Sequence, residues 1–173
     1  MFALFDSIFG LPSHPLIVHA AVVLVPLAAI GAIVIAFWPA ARERIGWITA
    51  GLGVVGFFFA FFAKQSGEVL LETTRVTEAV KAHAEMGKWG LIGAFLVGGS
   101  ACSLMLFDQF VKERAKRGLP ELSITRPLRT LIAVFAVVLS IFGTVLVINV
   151  GHSGAKATWE NKNNAPTVSY EGD

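Results

Sequence analysis

Four long apolar stretches, separated by polar segments, dominate the pattern of hydrophobic and polar positions along the chain. They predict membrane spans at about 16–38, 45–63, 89–107 and 131–150, each near the roughly 20 residues that a helix needs to cross a bilayer. The pattern therefore predicts an all-α fold, a four-helix transmembrane bundle forming a single domain over 1–155. The residues after the last span are polar and predict an extended or disordered C-terminal tail, which covers 156–173.

The N-terminal ten residues have a short amphipathic pattern that ends before Pro12. It predicts either a short helix lying in the membrane interface or a frayed hydrophobic terminus. Asp6 stands there without a Lys or Arg, so we do not expect a cleaved secretory signal. The apolar residues of this pattern are Phe2, Leu4, Phe5, Ile8 and Phe9.

Small residues recur at helical spacing within the predicted spans. In the third span, Gly90, Ala94 and Gly98 follow one another at intervals of four. Such a pattern lets helix backbones approach closely and favours a compact bundle. The alternative is that glycine is simply common in membrane helices.

Composition supports a membrane protein, because 55% of the residues are hydrophobic and only 15% are charged, whereas about 25% are charged in soluble domains. Four spans place 39–44 and 108–129 on one side of the membrane, and 64–88 with both termini on the other. The 108–129 loop holds six Lys and Arg residues. The positive-inside rule therefore places the basic loops in the cytoplasm and both termini outside.

Several classes of function are excluded by the sequence. The basic residues lie in loops beside apolar segments rather than in a stripe with aromatics, so the expected partner is the lipid bilayer and not nucleic acid. The single cysteine, Cys102, excludes a disulfide framework and covalent haem attachment. Motifs of hydrolases and of phosphate-binding enzymes are absent from the sequence, so we expect neither a hydrolase nor a transferase.

All four histidines, His14, His19, His83 and His152, are predicted near the outer face. His14 precedes Pro15 and should cap the first span, while His19 lies about one turn inside it. Their spacing excludes a chelating pair on one helical face. His83 should match the level of His14 better than that of His19, and His152 directly follows the fourth span.

Neutral imidazole is the commonest protein ligand for haem iron, copper and zinc, and its second nitrogen needs a hydrogen-bond partner. The predicted partners are Glu68, Glu85, Ser66 and Asn149. Paired by depth, His19 and His152 are the predicted axial ligands of a haem b, with copper or zinc as the alternative cofactor. His14 and His83 would then contact propionates, a second metal or a quinone. The alternative for an interfacial histidine is a solvated or hydrogen-bonded side chain.

Four short segments together resemble the bacterial family of four-span membrane proteins called domain of unknown function 2231. The resemblance covers about 11–155, and its most specific part is the His14-Pro15-Leu16-Ile17-Val18-His19 opening. Its members resemble small haem b membrane cytochromes in histidine placement and in their fusion to redox domains. The resemblance implies electron transfer in the bacterial cytoplasmic membrane. This chain has no fused redox domain, so its redox partner would be a separate protein. Besides the opening from His14 to His19, three segments carry the resemblance to this family: Ser66-Gly67-Glu68, His83 to Gly87 and Gly151-His152-Ser153-Gly154.

The expected function is that of an integral membrane redox protein, which binds haem b or another metal near the extracytoplasmic face. It would transfer electrons between a quinol and an external carrier, together with a separate redox partner protein or within a larger membrane complex. One alternative is a non-catalytic accessory or structural subunit of such a complex. A second alternative is a metal-ion or proton transporter, although the spans contain few of the polar residues that a transport path would require.

Overall fold

The computed structural model describes residues 7–8, 11–74 and 76–163. In these residues a two-stranded antiparallel ladder precedes the helices, with Ser7 opposite Pro12 and Ile8 opposite Leu11. Four helices follow in an antiparallel bundle. The elements are β1 Ser7–Ile8, β2 Leu11–Pro12, α1 Ser13–Phe37, α2 Pro39–Thr73, α3 Glu78–Lys116 and α4 Thr125–Asn163.

All four helices are long and apolar enough to cross a membrane. This confirms the prediction of an all-α bundle with four spans. The last two helices have 39 residues each and are therefore about 58 Å long at 1.5 Å per residue. The hydrocarbon core of a bilayer is about 30 Å thick, so α3 and α4 extend well beyond it.

The two ends of the chain differ from their predicted structure. Ser7 and Ile8 are extended and paired with β2, so the part of the amphipathic pattern that is described is not helical; 1–6 and 9–10 lie outside the described residues. At the other end, α4 continues as far as Asn163. The prediction of an extended tail is wrong up to that residue, because Ala, Lys, Glu and Thr continue the helix with Ala157 buried. Residues 164–173 lie outside the described part.

Local sequence accounts for the helix boundaries. Trp38 alone separates α1 from α2, and its extended backbone is followed by Pro39, whose missing N–H costs nothing in a first helical turn. The α3 helix begins after Thr77, whose Oγ1 accepts a hydrogen bond from the Val80 amide. It ends before Gly118, which has a φ of +68° and so adopts the left-handed conformation that terminates many helices.

The core is built from small residues, while many large apolar side chains face outward. Two glycine pairs bring helices together: Gly53 of α2 meets Gly98 of α3, and Gly93 of α3 meets Gly143 of α4. A Cβ on Gly93 would lie 2.5 Å from the Gly143 carbonyl oxygen. Close backbone packing therefore occurs at Gly98 of the predicted pattern and also at Gly93, but not at Gly90, where a Cβ would make ordinary contact with Val150.

The end of the bundle where α2 begins and α3 ends, here called the arginine end, holds a buried ion network. Arg42 donates from Nε to the Ile35 carbonyl at 2.7 Å and from Nη2 to the Ala36 carbonyl at 2.8 Å. Its Nη1 lies 3.7 Å from Asp108 Oδ1, and Lys112 Nζ lies 2.9 Å from Asp108 Oδ2. Arg42 thus caps the C-terminus of α1 and links it to α3.

Candidate functional site: the paired histidines

At the opposite end of the bundle, here called the histidine end, His14 in the first turn of α1 packs against α2. Its Nδ1 lies 2.8 Å from the Ala63 carbonyl oxygen and 3.3 Å from Ser66 Oγ. A carbonyl oxygen only accepts, so Nδ1 must carry the proton. In the neutral ring, Nε2 then keeps its lone pair.

His83, in the second turn of α3, has the equivalent contact with α4. Its Nδ1 lies 2.9 Å from Ser153 Oγ. Ser153 donates its own proton to the Val150 carbonyl at 2.8 Å, so its oxygen is left to accept from Nδ1 of the ring. The neutral form of His83 therefore also has its lone pair on Nε2.

The two half-buried rings lie next to each other across the bundle in an edge-to-face arrangement. Their centroids are 6.2 Å apart, with an angle of 67° between the ring planes. Within the described residues, neither Nε2 has a hydrogen bond. The prediction that His83 lies at the level of His14 is confirmed.

Glycine leaves the space that each imidazole occupies. A Cβ on Gly67 would lie 2.9 Å from Cε1 of His14, and a Cβ on Gly154 would lie 2.9 Å from Cε1 of His83. Both distances are shorter than real carbon contacts. A larger residue at either position would therefore displace the ring.

The predicted pairing of His19 with His152 is not found among the contacts of the described residues. Both side chains are exposed. His19 Nδ1 lies 2.5 Å from the Pro15 carbonyl one turn earlier, and this local bond directs the ring along α1. The common level of His14 and His83 was predicted correctly, and these two residues lie on the helical faces that point inward.

Of the four predicted hydrogen-bond partners, the structure places only Ser66 against a histidine. Ser66 is fully buried and donates to Ala63. Glu85 and Asn149 are exposed, and Glu68 is exposed and paired with Lys64 one turn earlier. The helix α2 continues through Ser66 and Glu68 to Thr73, so these residues do not mark its end.

Sequence reasoning missed Ser153 and the carbonyls of Ala63 and Val150. The sequence does contain a signal for Ser153, since the dipeptide Ser-Gly is repeated. It occurs as Ser66-Gly67 and Ser153-Gly154 at matching places in two apolar helices. The carbonyls have no sequence signal. They lie three residues before each serine, which is where a serine in a helix returns its proton to the backbone.

The candidate site offers two side chains that could bind a metal, His14 and His83. Within the described residues, no group of three or more His, Cys, Asp or Glu side chains is arranged to hold a metal ion. A bare zinc site usually takes three or four protein ligands. Two histidines are the number that the two axial positions of a haem iron accept.

Comparisons with known proteins agree with this architecture at the level of family. No curated protein and no solved structure matches the chain. The family model described as predicted membrane protein (DUF2231) matches residues 10–165, a range that includes all four histidines and all four helices in full. The chain belongs to this DUF2231 family of predicted membrane proteins.

Proposed function

We propose that this chain is a membrane redox protein that binds one haem b between His14 and His83, with a single copper ion as the less favoured cofactor. The observation that supports it is the pair of adjacent imidazoles, each with Nδ1 hydrogen bonded and with no hydrogen bond to Nε2 within the described residues. Haem b supplies one-electron redox chemistry when it is bound.

The spacing of the rings supports this choice. A metal lies about 2 Å from a ligating imidazole nitrogen, and the ring centre lies roughly 1 Å further on. Two imidazoles that bound one metal through Nε2 would therefore have centroids at most about 6 Å apart. The observed separation is 6.2 Å.

The surroundings of each ring would hold it in the ligating state. Hydrogen bonds from Nδ1 to a carbonyl or hydroxyl oxygen fix the tautomer and the ring orientation, and they raise the basicity of the other nitrogen. Ala63 and Ser66 do this for His14, and Ser153 does it for His83. Gly67 and Gly154 admit the rings close to the helix backbones.

The proposed orientation puts the histidine end on the extracytoplasmic side. The arginine end contains the basic residues of the two loops, and loops rich in Lys and Arg favour the cytoplasm. A single centre near one face cannot carry electrons through the bilayer. The protein would therefore exchange electrons with partners, a quinol as donor and an external carrier as acceptor.

An absorption spectrum of the detergent-purified protein, oxidised and then reduced with dithionite, tests the proposal together with metal analysis of the same sample. We expect Soret and α bands with one haem per chain. His14→Ala and His83→Ala should each lose the low-spin spectrum, whereas the matched variants His19→Ala and His152→Ala should keep it, because those side chains are exposed.

Any result other than the expected one would contradict part of the proposal. Copper without haem would replace the cofactor but keep the redox function. Stoichiometric zinc would overturn the redox function. Absence of haem and metal after expression with excess cofactor would favour an accessory subunit. A haem lost from His19→Ala and kept in His14→Ala would restore the pairing expected from depth.

A further inference from the structure

The two helical hairpins of the bundle, α1–α2 and α3–α4, present their histidines in the same way. In each hairpin a histidine near the start of the first helix contacts a serine of the second helix. That serine donates to the carbonyl three residues before it, Ala63 or Val150. The glycine after the serine lies against Cε1 of the ring, at the same distance in both hairpins. The Ala63 carbonyl accepts directly from His14 Nδ1, and the Val150 backbone is likewise a partner of His83 beside the Ser153 hydroxyl.

The equivalence continues toward the middle of the membrane. Gly56, 11 residues before Gly67, packs on Leu24 and Val25, which follow His14 by 10 and 11 residues. In the second hairpin, Gly143 stands 11 residues before Gly154 and packs on Gly93, 10 residues after His83. The helices of each hairpin therefore cross at the same distance from their histidine.

The hairpins differ at the arginine end. Histidine and serine are 52 residues apart in the first hairpin and 70 in the second. The additional residues extend α3 to Lys116 and form the loop before Thr125. The shared register is thus confined to the histidine end and the middle of the bundle, where the contacts between histidines, serines and glycines lie.

We infer that the two hairpins are structurally equivalent halves, and that one metal centre per chain binds on the local twofold axis between them through Nε2 of both His14 and His83. The inference rests on the proposed site but not on the identity of the metal centre. In a pair of parallel membrane repeats, a ligand site at the repeat interface is a common arrangement. Gly67 and Gly154 act as positioning residues of equal importance.

Titration of purified apo-protein with haemin, and separately with Co²⁺ as a probe of a bare metal site, tests this inference. We expect one equivalent bound per chain. His14→Ala and His83→Ala should each weaken binding at least about 100-fold, since loss of either ligand breaks the shared site. Gly67→Ala and Gly154→Ala should each weaken it about tenfold, to the same extent within a factor of about three, and should shift the spectrum of the bound haem.

Gly87→Ala is the matched control. Gly87 lies in α3 four residues after His83, and a Cβ there would meet nothing within 4 Å. This variant should bind like the wild type. A melting curve of each variant separates a displaced ring from an unfolded bundle, because equal melting temperatures with unequal binding place the effect at the site.

The outcomes separate the inference from the proposed function. If both histidine variants lose haemin but only one glycine variant does, the proposed function stands and the twofold site is wrong. If only one histidine variant loses haemin, both the twofold site and the proposed pairing of His14 with His83 are wrong. If haemin does not bind but one Co²⁺ per chain does, and both histidine variants abolish it, the twofold site stands and the haem assignment is wrong. Binding of neither probe overturns both, and two equivalents per chain overturn the shared site.

Discussion

The two ends of this bundle both bury polar groups, but they satisfy them differently. At the arginine end, Arg42 directs its nitrogens at two carbonyls and at Asp108, and Asp108 also receives Lys112. At the histidine end, His14 and His83 each use one nitrogen within the chain. Their second nitrogens have no hydrogen bond within the described residues.

The difference separates a structural network from the proposed binding site. A buried charge network that the chain itself completes stabilises one arrangement of helices, and it offers nothing to a ligand. The Nε2 atoms of His14 and His83 have no hydrogen-bond partner within the described residues, so they are open to a ligand or to water. The histidine end therefore has the chemistry of the proposed ligand site, whereas the arginine end is a structural ion network.

The largest expected effect comes from breaking the ion network at the arginine end. Asp108→Ala should lower the free energy of unfolding by about 3–5 kcal/mol, because Arg42 would keep its charge in a buried position without a carboxylate. Unfolding of the detergent-solubilised protein by denaturant measures it. Arg117→Ala, which removes an exposed pair with Glu113, should change the free energy by less than about 1 kcal/mol. Lost haemin binding in folded Asp108→Ala protein would show that the two ends are coupled.

The next effect concerns the packing that sets the hairpin geometry. Gly93→Ala should destabilise the bundle by about 1–3 kcal/mol, because its Cβ would meet the Gly143 backbone at 2.5 Å. The same unfolding experiment measures it. Gly99→Ala is the control in the same helix, where a Cβ meets nothing within 4 Å. Equal stability of the two variants would contradict the close crossing.

A smaller effect should distinguish the two serines. Ser153→Ala removes the hydroxyl that accepts from His83, and should weaken haemin binding about tenfold. Ser66→Ala should weaken it less, since the Ala63 carbonyl still accepts from His14. Haemin titration measures both. Ser103→Ala, an exposed serine of α3 bonded to its own helix, should leave binding unchanged. A stronger loss in Ser66→Ala would mean that the direct carbonyl bond does not orient the ring.

The smallest effects are expected at three residues that the sequence alone favoured as histidine partners. Glu85→Gln, Glu68→Gln and Asn149→Ala should each change stability by less than about 0.5 kcal/mol, because all three side chains are exposed. Haemin affinity should also be unchanged within a factor of about two. A clear loss of affinity in any of them would return that residue to the site.

Much of this architecture follows from the sequence. Apolar runs bounded by Pro39, Thr77 and Gly118 specify where helices lie, because long apolar helices are stable in lipid and these residues favour helix ends. The helical rise per residue gives depth, and it correctly placed His83 level with His14. The polar residues 151–163 predicted a tail. The part of a helix that extends beyond the membrane is exposed and polar, so no apolar run in the sequence indicates that it is helical.

What only the tertiary structure decided is the rotation of each helix about its axis. His14 and His19 lie on one helix, and the neighbouring sequence does not indicate that His14 faces the bundle while His19 is exposed. That choice is made by backbone contacts such as Gly93 with Gly143 and Gly53 with Gly98, which set how close the helices come and which faces meet. The sequence by itself determined four spans and the common level of His14 and His83; packing decided that these are the two histidines that meet.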